Sequence, residues 1–237
     1  TCKFKQPSYI GDPINAVRIL NEKEVDEVLF LDISKSKGGH EPDCGLLAHI
    51  ASECFIPFTY GGGIRTTEQI GKLLNVGIEK VSINTGALED VGLVERAATT
   101  FGSQSIVVSI DVKRNIFGQW VIHSEGRTEK HKTALMDYIE KVEQAGAGEL
   151  LINSVDRDGT MSGYALDLIR RVTESVSIPV IACGGAGTLV DCVEVVKKAG
   201  ASGAAAGSMF VYHGKHKAVL INYPEQGDIM KAFGRMP

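Results

Sequence analysis

The chain has 237 residues, 43% hydrophobic and 23% charged, with a formal net charge of −4. That balance is ordinary for a globular protein and gives no electrostatic ground for a nucleic-acid or anionic-membrane partner. Five cysteines with no C-x-x-C pair argue for a reducing, cytoplasmic setting and against a disulfide framework or structural zinc, while no apolar run is long enough to suggest a membrane span and no signal peptide is visible.

Strand-like and amphipathic helical runs alternate along the chain, the pattern of βα units. Asp12-Pro13 reads as an N-cap followed by a first-turn proline, opening a helix with Ile14, Val17 and Leu20 on one face. A strand over 27–33 follows and carries Asp32 near its end. The polar stretch 34–43, with Gly38-Gly39, is expected to be a mobile loop. A helix over 45–54, a strand over 57–60 and the turn Gly61-Gly62-Gly63 come next. Thr66-x-x-Gln69 is a capping box for a helix that carries Ile70, Leu73 and Leu74 and stops at Gly77. A strand over 80–84 ends in Asn84-Thr85-Gly86, and a helix over 90–100 leads to a strand over 105–111.

Residues 118–121 suggest a hairpin excursion before a helix over 135–145. From Leu151 an apolar run breaks abruptly into Asp156-Arg157-Asp158-Gly159, the mark of a buried strand that delivers carboxylates at its C-terminal end. A helix over 166–173, a strand over 179–183, the turn Gly184-Gly185-Ala186-Gly187, a helix over 190–198 and a strand over 203–210 complete the series. No linker divides the chain, so a single domain over 1–237 is expected, with 211–237 an atypical tail. Residues 211–224 show no sustained helical period, and His213-x-x-His216 has no third ligand close by, so it reads as a surface loop rather than a metal site.

The chain also repeats itself. Pro57 and Pro179 stand 122 residues apart, as do Glu27 and Glu149, and Gly62-Gly63 and Gly184-Gly185. A repeat this long is a half-barrel of four βα units used twice. The position 122 residues before Asp111 precedes Thr1, which predicts a further strand upstream of this sequence. Without it the sheet would have two open parallel edges.

On the strand ending near residue 111, Asp111 and Lys113 share a face, placing an acid and a cation at a barrel mouth where such enzymes keep their chemistry. Gly62-Gly63 with Asn84-Thr85, and Gly184-Gly185 with Gly207-Ser208, form two sets of turns whose backbone N–H groups suit phosphate. The repeat would place these sets on opposite sides of one mouth, which suggests a substrate with phosphate at both ends.

Together, Phe30-Leu31-Asp32-Ile33, Tyr60-Gly61-Gly62-Gly63-Ile64, Lys80-Val81-Ser82-Ile83-Asn84-Thr85, Phe101-Gly102-Ser103-Gln104, Ile110-Asp111-Val112-Lys113, Asp156-Arg157-Asp158-Gly159-Thr160 and Gly184-Gly185-Ala186-Gly187 resemble the cyclase subunit of imidazole glycerol phosphate synthase. The resemblance implies an α/β fold, a (βα)8 TIM barrel. It also implies a lyase-type reaction with no cofactor and no metal. Ammonia comes from a glutaminase docked at the N-terminal face. It converts a bisphosphorylated aminoimidazole carboxamide ribonucleotide into imidazole glycerol phosphate and the aminoimidazole carboxamide ribotide. By resemblance Asp111 is the catalytic fifth-strand aspartate and Asp158 a supporting acid, while the first-strand acid falls upstream of Thr1. Asp32, Gly63, Asn84, Thr85, Lys113, Gly159, Gly184, Gly185, Gly207 and Ser208 are the implied substrate contacts, and Glu27, Lys80 and Glu149 an ammonia gate on the barrel floor.

The tail, Ser36-Lys37, Glu41-Pro42-Asp43 and Asn153 depart from the histidine-pathway pattern. They look more like a paralogous branch linked to surface-polysaccharide genes, which would supply ammonia for an acetamidino group on a nucleotide-linked sugar. A non-cyclising ammonia conduit is the third reading.

Overall fold

A computed structural model of the chain describes residues 2–5, 8–34, 41–124, 133–214, 216 and 218–234. The expected mobile loop over 34–43 lies mostly outside the described residues, as do Ser36 and Lys37. Seven strands run parallel and curl into a barrel-like sheet, with helices in the connections. In chain order the first half comprises α1 (Pro13–Glu22), β1 (Val28–Leu31), α2 (Cys44–Ser52), β2 (Phe58–Gly61), α3 (Thr67–Asn75), β3 (Lys80–Ile83), α4 (Thr85–Glu89), α5 (Gly92–Phe101) and β4 (Ile106–Arg114). A short β5 (Trp120–Ile122) follows, then α6 (Leu135–Gln144), β6 (Glu149–Ser154), α7 (Leu166–Thr173), β7 (Val180–Cys183), α8 (Leu189–Ala199), β8 (Gly203–Ala204) and α9 (Ser208–Val211). The tail adds β9 (Tyr212–His213), β10 (Ala218–Val219) and α10 (Gln226–Phe233).

The parallel order is β1-β2-β3-β4-β6-β7-β8, and β5 pairs antiparallel with β4. The sheet is therefore of the (βα)8 barrel type. Among the described residues β1 and β8 do not pair with each other, so the ring is open at the place where the repeat calls for one more strand.

Local chemistry accounts for the elements. Asp12 accepts a hydrogen bond from the Asn15 N–H at 3.1 Å and Pro13 opens α1. Thr66 and Gln69 form a capping box at α3, and Thr188 and Asp191 form another at α8, with Gly200 in the left-handed conformation closing that helix. Those two boxes stand 122 residues apart, so the half-barrel repeat extends to the helix caps. The strands read as near-continuous apolar runs because both faces are covered. Ile83, Ile106, Val108, Ile110, Leu150 and Ile152 are all essentially inaccessible. Each contributes roughly 1.5–3 kcal/mol relative to exposure.

Three expectations are corrected. The final parallel strand covers only Gly203–Ala204, because Gly207 breaks it and Phe210 lies in the short helix α9. A short helix, α4, precedes the one expected over 90–100. The strand expected over 105–111 continues to Arg114, where β5 pairs with its end; in the tail, α10 follows the stretch 211–224 and packs beside α8. Tyr223 anchors the approach to it, with its ring 4.9 Å from that of Phe210 and its hydroxyl 3.3 Å from Asp26 Oδ2.

Candidate functional site

The floor and the mouth of the barrel are built by opposite ends of the same strands. At the N-terminal ends, Lys80 Nζ lies 2.8 Å from Glu149 Oε1 and 3.1 Å from Glu27 Oε2. The triad spans β6, β3 and the residue before β1. Thr59, on the inward face of β2 and fully buried, donates to Glu27 Oε1 at 2.5 Å and fixes that carboxylate. Partial burial works against the Lys80 charge, but the hydrogen bonds to Glu149 and then Glu27 outweigh it, so its pKa is raised above the ordinary lysine value. Sequence reading found the three charges but missed Thr59; the only signal was its inward place in the alternation of β2.

At the mouth, Asp111 on β4 is held from both sides. Asn84 Nδ2 donates to its Oδ2 at 2.8 Å and Asn153 Nδ2 donates to its Oδ1 at 3.0 Å. Asn153 sits directly opposite Asp111 in the β4–β6 register, and Asn84 follows β3 immediately. A carboxylate oxygen can only accept, so the Asn153 amide must turn its NH2 to Asp111 and its carbonyl away. That carbonyl oxygen is buried and finds no partner among the described residues. Asn84, read from sequence as a phosphate contact, is thus seen holding the carboxylate. Lys113 lies on the same face of β4, opposite Val121 of β5.

The glycine turn after β7 presses against this group. Gly184 has φ +85°, and a Cβ there would stand 2.7 Å from the Ser154 carbonyl and 2.8 Å from Asn153 Oδ1. Only glycine allows that approach. Beside it, burial pushes the Cys183 thiol up to about 12, with the charges of Asp111 and Asp158 acting in the same direction. Cys183 therefore stays a protonated, unreactive thiol near neutral pH.

A cavity of about 230 Å³ opens between Asp158, Gly159, Gly184, Gly185, Gly207 and Ser208. The second predicted set of anion-binding turns thus lines one pocket. Its outer wall is the N-terminal arm, through Ser8 and Ile10. The arm is pinned to the β6 loop: Lys3 N–H donates to the Asp158 carbonyl at 2.9 Å and Phe4 N–H to Asp158 Oδ2 at 3.3 Å. Arg157 braces that loop by donating to the Ser162 carbonyl at 2.7 Å. On the other side, Gly63 has φ +69° and Thr85 opens α4. Asp32 Oδ1 accepts from the Ser34 N–H at 3.0 Å and the Ser34 hydroxyl at 2.6 Å, so it also shapes its own turn.

The described residues hold no cluster of three metal-ligating side chains and no helix long and apolar enough to cross a membrane. Residues 1–217 match the family described as histidine biosynthesis protein. A Pseudomonas aeruginosa protein provisionally named imidazole glycerol phosphate synthase subunit hisF2 is 49% identical over 225 residues, 95% of this chain and 90% of its own length. A Vibrio vulnificus protein provisionally named subunit hisF3 is 44% identical, over 98% of this chain and 90% of its own. The imidazole glycerol phosphate synthase subunit HisF of Streptococcus mutans is 39% identical, over 86% of this chain and 81% of its own.

Proposed function

This chain belongs to the histidine biosynthesis protein family, and on that footing we propose that it is the ammonia-using synthase subunit of an imidazole-glycerol-phosphate-synthase-type complex. In this reading a glutaminase partner docks on the N-terminal face, beneath Glu27, Lys80 and Glu149. Ammonia enters past that ring and meets a bisphosphorylated substrate at the mouth. Gly63 and Thr85 on one side, and Gly159, Gly184, Gly185, Gly207 and Ser208 on the other, hold the two phosphates through backbone N–H groups. Lys113 and Asp32 face the substrate between them. Asp111 takes the proton released as the nitrogen adds to the substrate carbonyl, and Asp158 supports the charge on the pocket side. Cyclisation and cleavage then make the reaction a lyase-type synthesis in one barrel domain.

The observation that carries this reading is the alignment of the two sites. An ion-paired ring spans the floor, and a clamped carboxylate stands at the other end of the same barrel. The test is product formation by the full-length chain from ammonium salt and the histidine-pathway bisphosphate. Absence of product under saturating conditions would overturn it.

A second reading has a specific observation behind it. Asn153, where histidine-pathway enzymes usually carry threonine, directly contacts Asp111. This favours the retuned branch in which the same barrel supplies ammonia for an acetamidino group on a nucleotide-linked sugar, with or without its own cyclisation step. Complementation of a histidine auxotroph separates the two: growth supports the cyclase, and failure with a folded protein supports the branch.

A further inference from the structure

The short strand β5 brings a side chain to the mouth that the proposed chemistry has not used. β5 pairs antiparallel with β4 in a fixed register, Val112 with Ile122, Lys113 with Val121 and Arg114 with Trp120. One step further along, the His123 N–H donates to the Asp111 carbonyl at 2.7 Å. His123 and Asp111 are therefore directly opposed, and opposed residues project from the same face of a sheet. Their Cβ atoms then stand about 5 Å apart. β3 pairs only with the start of β4, at 106–108, so β5 occupies the edge of β4 above it, on the side from which Asn84 reaches Asp111.

His123 is half-buried, and its ring is covered by Phe4, with centroids 6.1 Å apart. Phe4 in turn is tied to Asp158, which lines the pocket. The imidazole is thus linked through Phe4 to Asp158 at the pocket, while its own backbone pairs it with Asp111 on β4.

We propose that His123 and Asp111 form an acid–base pair in which the imidazole exchanges protons with the substrate oxygen. The inference rests on the ammonia-addition reading above and deepens it. Ammonia adds to the carbonyl carbon: the N–C bond forms and the C=O π pair moves to oxygen. Asp111 takes a proton from the added nitrogen while the His123 imidazolium gives one to that oxygen, leaving a neutral carbinolamine. The proton on Asp111 then passes to His123, which restores both groups. Among the described residues, the titratable and charged groups around this pair are Cys183 from β7, which feels the charges of both Asp111 and Asp158, Asp158 itself from the β6 loop, and Lys113 on the same face of β4.

The test uses His123→Gln in the full-length chain. At saturating substrate and constant free ammonia, kcat should fall about 100-fold, the size of a lost general acid. KM should move less than about threefold. The limb of the kcat–pH profile belonging to the imidazole should disappear. Unchanged kcat with an unchanged profile would overturn the pair. A second measurement needs no turnover. The His123 imidazole, assigned in NMR spectra by its loss in His123→Gln, should titrate about one pH unit lower in Asp111→Asn than in the wild type, because a neighbouring carboxylate favours imidazolium. Identical titration would refute the pair. Wild-type protein that forms no product would instead sink the ammonia-addition reading, and the NMR comparison would still decide whether the pair exists.

Discussion

Replacing Lys80 with Met is the sharpest probe of the barrel floor, because the lysine stands between two carboxylates. With Nζ 2.8 Å from Glu149 and 3.1 Å from Glu27, its removal leaves two glutamates up to about 6 Å apart with no cation between them. At an effective dielectric of about 20 their repulsion is roughly 3 kcal/mol, and ionic screening brings it to about 1–2 kcal/mol. Lys80→Met should therefore lower the unfolding free energy by about 2 kcal/mol at pH 7, read from urea titration. The Lys80 pKa is raised from its ordinary value of 10.5. In the wild type the contribution is thus present in full below 10.5 and is lost as pH rises through the raised value. The deficit of the variant should shrink as pH falls to about 4–5, where carboxylates protonate. Adding Glu149→Gln to Lys80→Met should restore most of the loss. The functional arm follows: Lys80→Met should disturb the coupling of glutamine hydrolysis to product more than turnover with free ammonia. Strictly additive stability losses would refute the electrostatic argument, and equal falls in both activities would refute the gate.

Asp111→Asn should abolish ammonia-dependent turnover while bisphosphate affinity, measured by calorimetry, stays within a few-fold; undiminished turnover would remove Asp111 from the chemistry. Gly184→Ala forces a positive φ on a residue with a Cβ and drives that atom against the Ser154 carbonyl, so it should cost about 2 kcal/mol or more in urea unfolding. Cys183 should react with iodoacetamide far more slowly than exposed Cys2 at pH 8, and faster in Asp111→Asn, since one of the charges that raises its pKa is then gone. Equal rates in wild type and variant would contradict that account. Inorganic phosphate or sulfate soaked into crystals should occupy the pocket formed by Gly184, Gly185, Gly207 and Ser208, and empty density there at high anion concentration would count against the phosphate reading.

The sequence by itself determined the succession of strands and helices, the half-barrel repeat, the capping box at Thr66 and the placing of Asp158 and the glycine turns just beyond strand ends. Each of these is written in local periodicity or in one chemical preference of a short segment, and neither needs knowledge of what packs nearby. The charges of the floor were legible because the repeat aligned Glu27 with Glu149 and the family resemblance added Lys80 at the start of its strand. Tertiary structure alone decided the rest. Asn84 and Asn153 reach Asp111 from 27 and 42 residues away, and no spacing rule relates them until the strands are in register. His123 faces Asp111 only because a three-residue strand folds back on β4. Thr59 supports Glu27 through a contact between neighbouring strands, and the arm at Lys3 and Phe4 is held by a loop more than 150 residues distant. The end of β8 was misread because the conformation of a short, weakly patterned piece comes from what it docks against, not from its own propensity.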